Sequence, residues 1–121
     1  MHCIGVDIIE IARIEKAVAH WGERFLKRIY TEKELELCRN QGAALAAHFA
    51  AKEAAMKALG TGTKGTGWQE VETLSSPSGQ PVVYLHGKAE NRAQELGLKG
   101  LAISLSHCRD YAVATVIGAK E

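Results

Sequence analysis

Residues 43–60 read Ala-Ala-Leu-Ala-Ala-His-Phe-Ala-Ala-Lys-Glu-Ala-Ala-Met-Lys-Ala-Leu-Gly. Alanine, leucine, methionine, lysine and glutamate are strong helix formers, and Gly60 falls where a left-handed cap closes a helix. The run therefore predicts a helix over 43–59. Alanine on most of its sides lets other backbone approach closely, which places this helix at the centre of the fold.

Working towards the N-terminus, Thr31 and Glu34 form a capping-box pattern that starts a helix fading near Asn40. Glu23 to Tyr30 reads as a short basic helix. From Glu10 to Trp21, Ile11, Ile14, Ala17 and Val18 recur at helical spacing and Gly22 ends the run. Cys3 to Ile9 reads as a buried strand, with Ile4, Val6 and Ile8 on one face and Gly5 and Asp7 on the other.

Towards the C-terminus, Thr61 to Gly67 reads as a flexible glycine-rich loop. Trp68–Ser75 and Pro81–Leu85 read as strands joined by Ser76-Pro77-Ser78-Gly79. Lys88–Leu96 is helical with Gly97 as its cap, and Leu101–Cys108 pairs with Tyr111–Ile117 around Arg109-Asp110. The pattern is that of an α+β domain spanning 1–121, a small antiparallel sheet packed with a central alanine-rich helix.

Composition narrows the function. With 121 residues and only 6% aromatics, the core must be built from Ala, Ile, Leu and Val, and burial completed by association predicts a homo-oligomer. Fifteen Lys+Arg balance fourteen Asp+Glu, so no global basic field points to nucleic acid. No apolar run reaches the ~20 residues of a membrane span. The first residues do not read as a signal peptide, and Cys3, Cys38 and Cys108 form neither a zinc pattern nor a disulfide framework. A cytoplasmic protein is expected.

Four groups of residues carry candidate chemistry. Asp7 is a carboxylate in an otherwise apolar strand, costly to bury unless paired; its plain alternative is a cap for the next helix. Glu53 and Lys57 sit four apart on the stripe that begins at Phe49; the plain alternative is a solvated ion pair, but Phe49, Ala50, Ala54 and Met56 suit a half-buried site better. Asp7 and Glu53 together could hold Mg²⁺ and leave positions open for phosphate oxygens and water. The segment Gly60-Thr61-Gly62-Thr63-Lys64-Gly65 imitates a dinucleotide fingerprint, yet follows a helix and precedes a strand, so that reading fails. It lacks the P-loop offset too, and what survives is a loop of amides, hydroxyls and Lys64 able to wrap a phosphate. Ser104-Leu105-Ser106-His107 lacks the nucleophile elbow and acid partner of a hydrolase.

Together these stretches resemble one family. Ile4-Gly5-Val6-Asp7-Ile8-Ile9-Glu10-Ile11 with Arg13-Ile14, Phe49 to Ala54 with Lys57 to Gly62, and Ser104 to His107 look like the signatures of bacterial holo-acyl-carrier-protein synthase, a short trimeric 4′-phosphopantetheinyl transferase. The resemblance runs nearly end to end. It implies a homotrimer with coenzyme A bound at subunit interfaces, and transfer of 4′-phosphopantetheine to a serine of apo acyl carrier protein in fatty acid biosynthesis. It implies Asp7 and Glu53 as Mg²⁺ ligands, with Mn²⁺ an alternative, and Lys57 as a further positive charge at the phosphates. The serine proton would pass to Glu53 or to a metal-bound water. Gly60, Thr61, Gly62 and Lys64 would line the coenzyme A channel, with Ser104 and His107 contacting the same ligand. Arg13, Arg24, Phe25 and Arg28 would meet the acidic carrier. His48 stands where this family often has Arg for the adenosine 3′-phosphate, a contact a neutral imidazole makes less well. Two rivals use the same residues otherwise: a metal-dependent phosphohydrolase, and a non-catalytic trimeric module for acidic partners.

Overall fold

The computed structural model describes residues 2–120, apart from the side chains of Thr63 and Lys64. Its centre is helix α4 (Gly42–Leu59), which is buried on nearly all sides. Before it come strand β1 (His2–Glu10) and helices α1 (Ile11–Trp21), α2 (Glu23–Ile29) and α3 (Glu32–Cys38). After it come a helical turn α5 (Gly62–Gly65), a 3₁₀ turn (Trp68–Glu70) and strands β2 (Val71–Ser75) and β3 (Pro81–Leu85). Helix α6 (Gly87–Glu95) and strands β4 (Leu98–His107) and β5 (Tyr111–Lys120) complete the chain. Strands β1, β5 and β4 form an antiparallel sheet in that order, and β2 pairs with β3 in a separate hairpin.

The predicted α+β architecture and central helix are therefore present. Helix α4 lies on the sheet face made by Gly5, Ile9, Ala112, Ala114 and Val116. Gly5 makes this possible: a Cβ there would lie 1.9 Å from the Ala54 carbonyl oxygen and 2.9 Å from the Ala58 nitrogen. Alanines on the helix and glycine on the strand thus bring two backbones together, and Asp7 rides on the same strand.

The opposite face departs from the sequence expectation. Ile4, Val6 and Ile8 stay 67%, 54% and 63% exposed in the single chain. The strand has the alternation expected of it, but α4 takes its glycine face and leaves the isoleucine–valine face open.

Two further expectations shift. The segment after Gly60 is not an open loop but a helical turn, since Gly60 (φ 73°) and Gly62 (φ 60°) redirect the chain into a second helical stretch. Trp68–Glu70 forms a 3₁₀ turn instead of the start of β2, held by the Glu70 carboxylate accepting from the Gly67 amide.

A buried ion pair locks α3, α4 and β2 together. Lys52 Nζ donates to Glu34 Oε1 (2.7 Å) and to the carbonyls of Trp68 (3.0 Å) and Val71 (2.6 Å). Glu34 in turn accepts from the amides of Thr31 and Thr73, so all three ammonium hydrogens and both carboxylate oxygens have partners.

Candidate active site

Helix α4 and strand β1 bring the predicted acidic pair together. Glu53 and Asp7 face each other closely enough to share a hydrogen bond, although they are far apart in the chain. Lys57, one turn beyond Glu53, donates from Nζ to Asp7 Oδ1 (3.0 Å) and to the Val6 carbonyl (3.1 Å). Asp7 is thus neither a helix cap nor a solvated residue; it is the strand's contribution to a cluster of charges.

Burial, and then the Asp7 carboxylate opposite, push the Glu53 carboxyl above its ordinary range; the charges of Lys57 and Arg13 pull it back in part. Two carboxylates at hydrogen-bond distance repel when both are ionised, and a divalent cation between them removes that cost. Only two carboxylates converge, and among the described residues no group of three or more His, Cys, Asp or Glu could hold a metal. Two carboxylates nonetheless suit Mg²⁺, which keeps waters and phosphate oxygens in its shell and asks few ligands of the protein.

Arg13 is the surprise. Its charge reaches Glu53, so it belongs to the acidic cluster as well as to the exposed face of α1. The sequence assigns Arg13 to the carrier on the strength of its signature stretch; its nearness to Glu53 comes with the turn from β1 into α1.

The remaining predicted residues lie in three other places. Arg24, Phe25 and Arg28 line a groove of about 320 Å³ with Trp21, over whose ring the Arg24 guanidinium sits at 5.7 Å. Trp21 was not singled out in the sequence, where it reads only as the end of a helix. Phe25 stacks on Phe49, and Phe49 on Trp68, so an aromatic file connects this groove to the α4 stripe that carries Glu53 and Lys57.

Gly60 closes α4, with the Arg92 Nε donating to the Leu59 carbonyl beside it. Thr61 Oγ1 is buried without a partner among the described residues. The side chain of Lys64 lies outside the described residues.

Ser104 and His107 do not join the acidic cluster within one chain. The register runs Asp7 to Ala114 to Leu105 across β1, β5 and β4, which sets them about 10 Å away by strand spacing. Ser104 instead lines a cavity of about 440 Å³ between α4, the β2–β3 hairpin and β4, with His48, Thr73, Gln80, Pro81 and Ile103. His48 is buried, and its Nδ1 is 2.9 Å from the Ala44 carbonyl oxygen.

A carboxylate pair with an adjacent lysine, on a strand and a buried helix of a small α+β fold, is the kind of site that handles phosphates. Comparison makes the class specific. The family model described as the 4′-phosphopantetheinyl transferase superfamily matches residues 3–116. A holo-[acyl-carrier-protein] synthase of Dehalococcoides mccartyi is 55% identical over 113 residues, covering 93% of this chain and 94% of that protein. One from Herpetosiphon aurantiacus is 50% identical over 121 residues, covering 94% and 95%. The crystal structure of Helicobacter pylori holo-[acyl-carrier-protein] synthase in complex with coenzyme A superposes with a TM-score of 0.88 at 33% identity, over 96% of this chain and 99% of that one.

The protein is therefore a transferase. It belongs to the 4′-phosphopantetheinyl transferase superfamily.

Proposed function

We propose that this chain, as one catalytic domain over 1–121, transfers 4′-phosphopantetheine from coenzyme A to a serine of apo acyl carrier protein and releases adenosine 3′,5′-bisphosphate. The observation that carries the reading is the meeting of Asp7 and Glu53 beside Lys57 in a chain of this superfamily.

Asp7 and Glu53 would hold Mg²⁺, or Mn²⁺ with the same oxygen chemistry. The bound ion would supply charge neutralisation at the diphosphate. Lys57 is half-exposed, so its ammonium can turn from Asp7 towards a phosphate oxygen. Glu53 would also be the candidate acceptor for the proton of the carrier serine. The serine oxygen then bonds to the β-phosphorus of coenzyme A. The bond from that phosphorus to the bridging oxygen breaks, and the negative charge leaves on the nucleotide. Gly60, Thr61, Gly62 and Lys64 would flank the pantetheine and phosphates, with Ser104 and His107 contributed to the same ligand.

Those last two residues bring in assembly. The exposed row Ile4, Val6 and Ile8, continued by Ile117 opposite Ile4, suits burial against further copies of the chain in a homotrimer. Such packing supports active sites shared between subunits, which would bring one copy's Ser104 and His107 towards another's Asp7. The groove of Trp21, Arg24, Phe25 and Arg28 presents guanidinium groups and aromatic surface to an acidic carrier, which Arg13 on α1 would meet as well. The described helices include none long and apolar enough to cross a membrane. Three free cysteines suit action in a reducing cytoplasm, within fatty acid synthesis.

The test is a mass measurement. Apo carrier incubated with the protein, coenzyme A and Mg²⁺ should gain one phosphopantetheine group; coenzyme A cleaved while the carrier stays unchanged would favour a phosphohydrolase.

A further inference from the structure

Helix α2 carries Arg24, Phe25 and Arg28 of the proposed carrier groove, yet it is only seven residues long. Isolated helices shorter than ~12–15 residues are marginal in water, so α2 keeps its place through what it packs against. Its last carbonyls also need donors from outside, because a helix end has no intrahelical partners for them.

The 3₁₀ turn supplies both. Gln69 Nε2 donates to the Tyr30 carbonyl (2.8 Å) and to the Lys27 carbonyl. Both oxygens can only accept, so the amide turns its nitrogen towards them, one hydrogen to each. Beside Gln69, the Trp68 ring stacks on Phe49 at 4.9 Å between centroids, and Phe49 stacks on Phe25 of α2 at 6.4 Å. The turn that carries Trp68 and Gln69 is itself fixed. Buried Lys52 of α4 donates to the Trp68 carbonyl, the Glu70 carboxylate accepts from the Lys88 amide, and the Glu70 carbonyl accepts from the His86 amide. Lys52 adjoins Glu53 in the chain, so the clasp ties the groove to the helix that holds the acidic pair. Gln69 is exposed and fills no part of the core; what it fixes is the place of α2.

We propose that Gln69 is a positioning residue for the carrier: its amide clasps the C-terminal end of α2 to the 3₁₀ turn and so presets the groove of Arg24, Phe25 and Arg28 for an acidic partner. This rests on the carrier docking proposed above. A groove that is already ordered need not be ordered by its partner, and the difference appears in affinity. The clasp therefore bears on binding of the carrier and not on binding of coenzyme A.

The experiment compares the unaltered protein with Gln69→Leu, which keeps the bulk of the side chain and removes both donors. Hydrogen exchange should quicken about tenfold or more in the amides of α2 and stay unchanged in α4. With acidic carrier and coenzyme A as substrates, KM for the carrier should rise about fivefold or more, while kcat at saturating carrier and the calorimetric affinity for coenzyme A stay within about twofold. In an Arg24→Ala background, which has already lost part of the groove, the effect of Gln69→Leu on the carrier KM should shrink to about twofold or less. Unchanged exchange in α2 overturns the proposal, and so does an unchanged carrier KM beside quickened exchange. A full effect of Gln69→Leu in the Arg24→Ala background overturns it as well. A loss of coenzyme A affinity as large as the loss for the carrier does the same, because the variant then loosens the whole site. Failure of Arg24→Ala alone to raise the carrier KM would instead overturn the docking on which this rests.

Discussion

At the scale of single residues, the acidic pair is poised against its own fold. Glu53 is held above its ordinary range first by burial and then by Asp7. A carboxyl whose folded value exceeds its unfolded value contributes stability fully present below about 4.5, and that contribution is lost as pH rises through the folded value. Metal-free protein should therefore be least favoured by Glu53 near neutrality, where the proposed metal site would use the charge. Glu53→Gln should be at least as stable as the unaltered protein at pH 7.5, with the difference shrinking towards pH 4. Denaturant unfolding in chelator across that range measures it. A variant markedly less stable at pH 7.5 would show that Glu53 holds the fold together instead of straining it.

The two carboxylates and Lys57 were legible because their signals are local: an acid inside an apolar strand, and two charges four apart on a helix stripe. Lys52 and Glu34 were not. Their pairing spans α3, α4 and β2, and the one available hint was a lysine on a helix apolar all round, which must find a partner if it faces inward.

Among elements, the apposition of β1 and α4 decides whether the site exists. Gly5→Ala would drive a methyl group into the α4 backbone at Ala54. Overpacking of this kind costs about 1–3 kcal/mol, occasionally more, and here it would also move Asp7 away from Glu53. Turnover should fall more than the loss of stability explains, as seen by comparing melting temperature and kcat in one preparation. The buried pair behaves differently. Lys52→Met leaves Glu34 buried without a counter-ion, with only the Thr31 and Thr73 amides as partners, and should cost about 3–5 kcal/mol. Lys52→Met with Glu34→Leu removes both charges and should recover most of it, as thermal unfolding would show; an equally unstable double variant would mean that the carbonyls of Trp68 and Val71 need the ammonium more than Glu34 does.

Element order was readable because helix periodicity, the Thr31–Glu34 box and the glycine caps are written in short windows. The turn after Gly60 was less so. Glycines announce a change of direction, but the helical turn that follows packs against α4, and no short window of sequence records that contact.

For the molecule as a whole, the open sheet face matters most. An apolar strand predicts burial, but the sequence does not say against what, and a single chain leaves Ile4, Val6 and Ile8 uncovered. Val6→Glu, at the middle of that row, should leave the chain folded by circular dichroism and break the proposed trimer into monomers in sedimentation, with transfer activity lost together with assembly. A monomeric variant with full activity would remove the shared-site reading. Ser104 and His107 test the same point: two strands from Asp7 within a chain, they bear on the reaction only if assembly brings them there.

The proposed chemistry rests on Asp7 and Glu53 holding an ion that in turn meets a diphosphate. Calorimetric titration of coenzyme A into the protein, with and without Mg²⁺, tests this directly. The account predicts that Mg²⁺ tightens binding by about tenfold or more in the unaltered protein and by nothing measurable in Asp7→Asn or Glu53→Gln. Affinities that respond equally to Mg²⁺ in all three would place the ion elsewhere and contradict it.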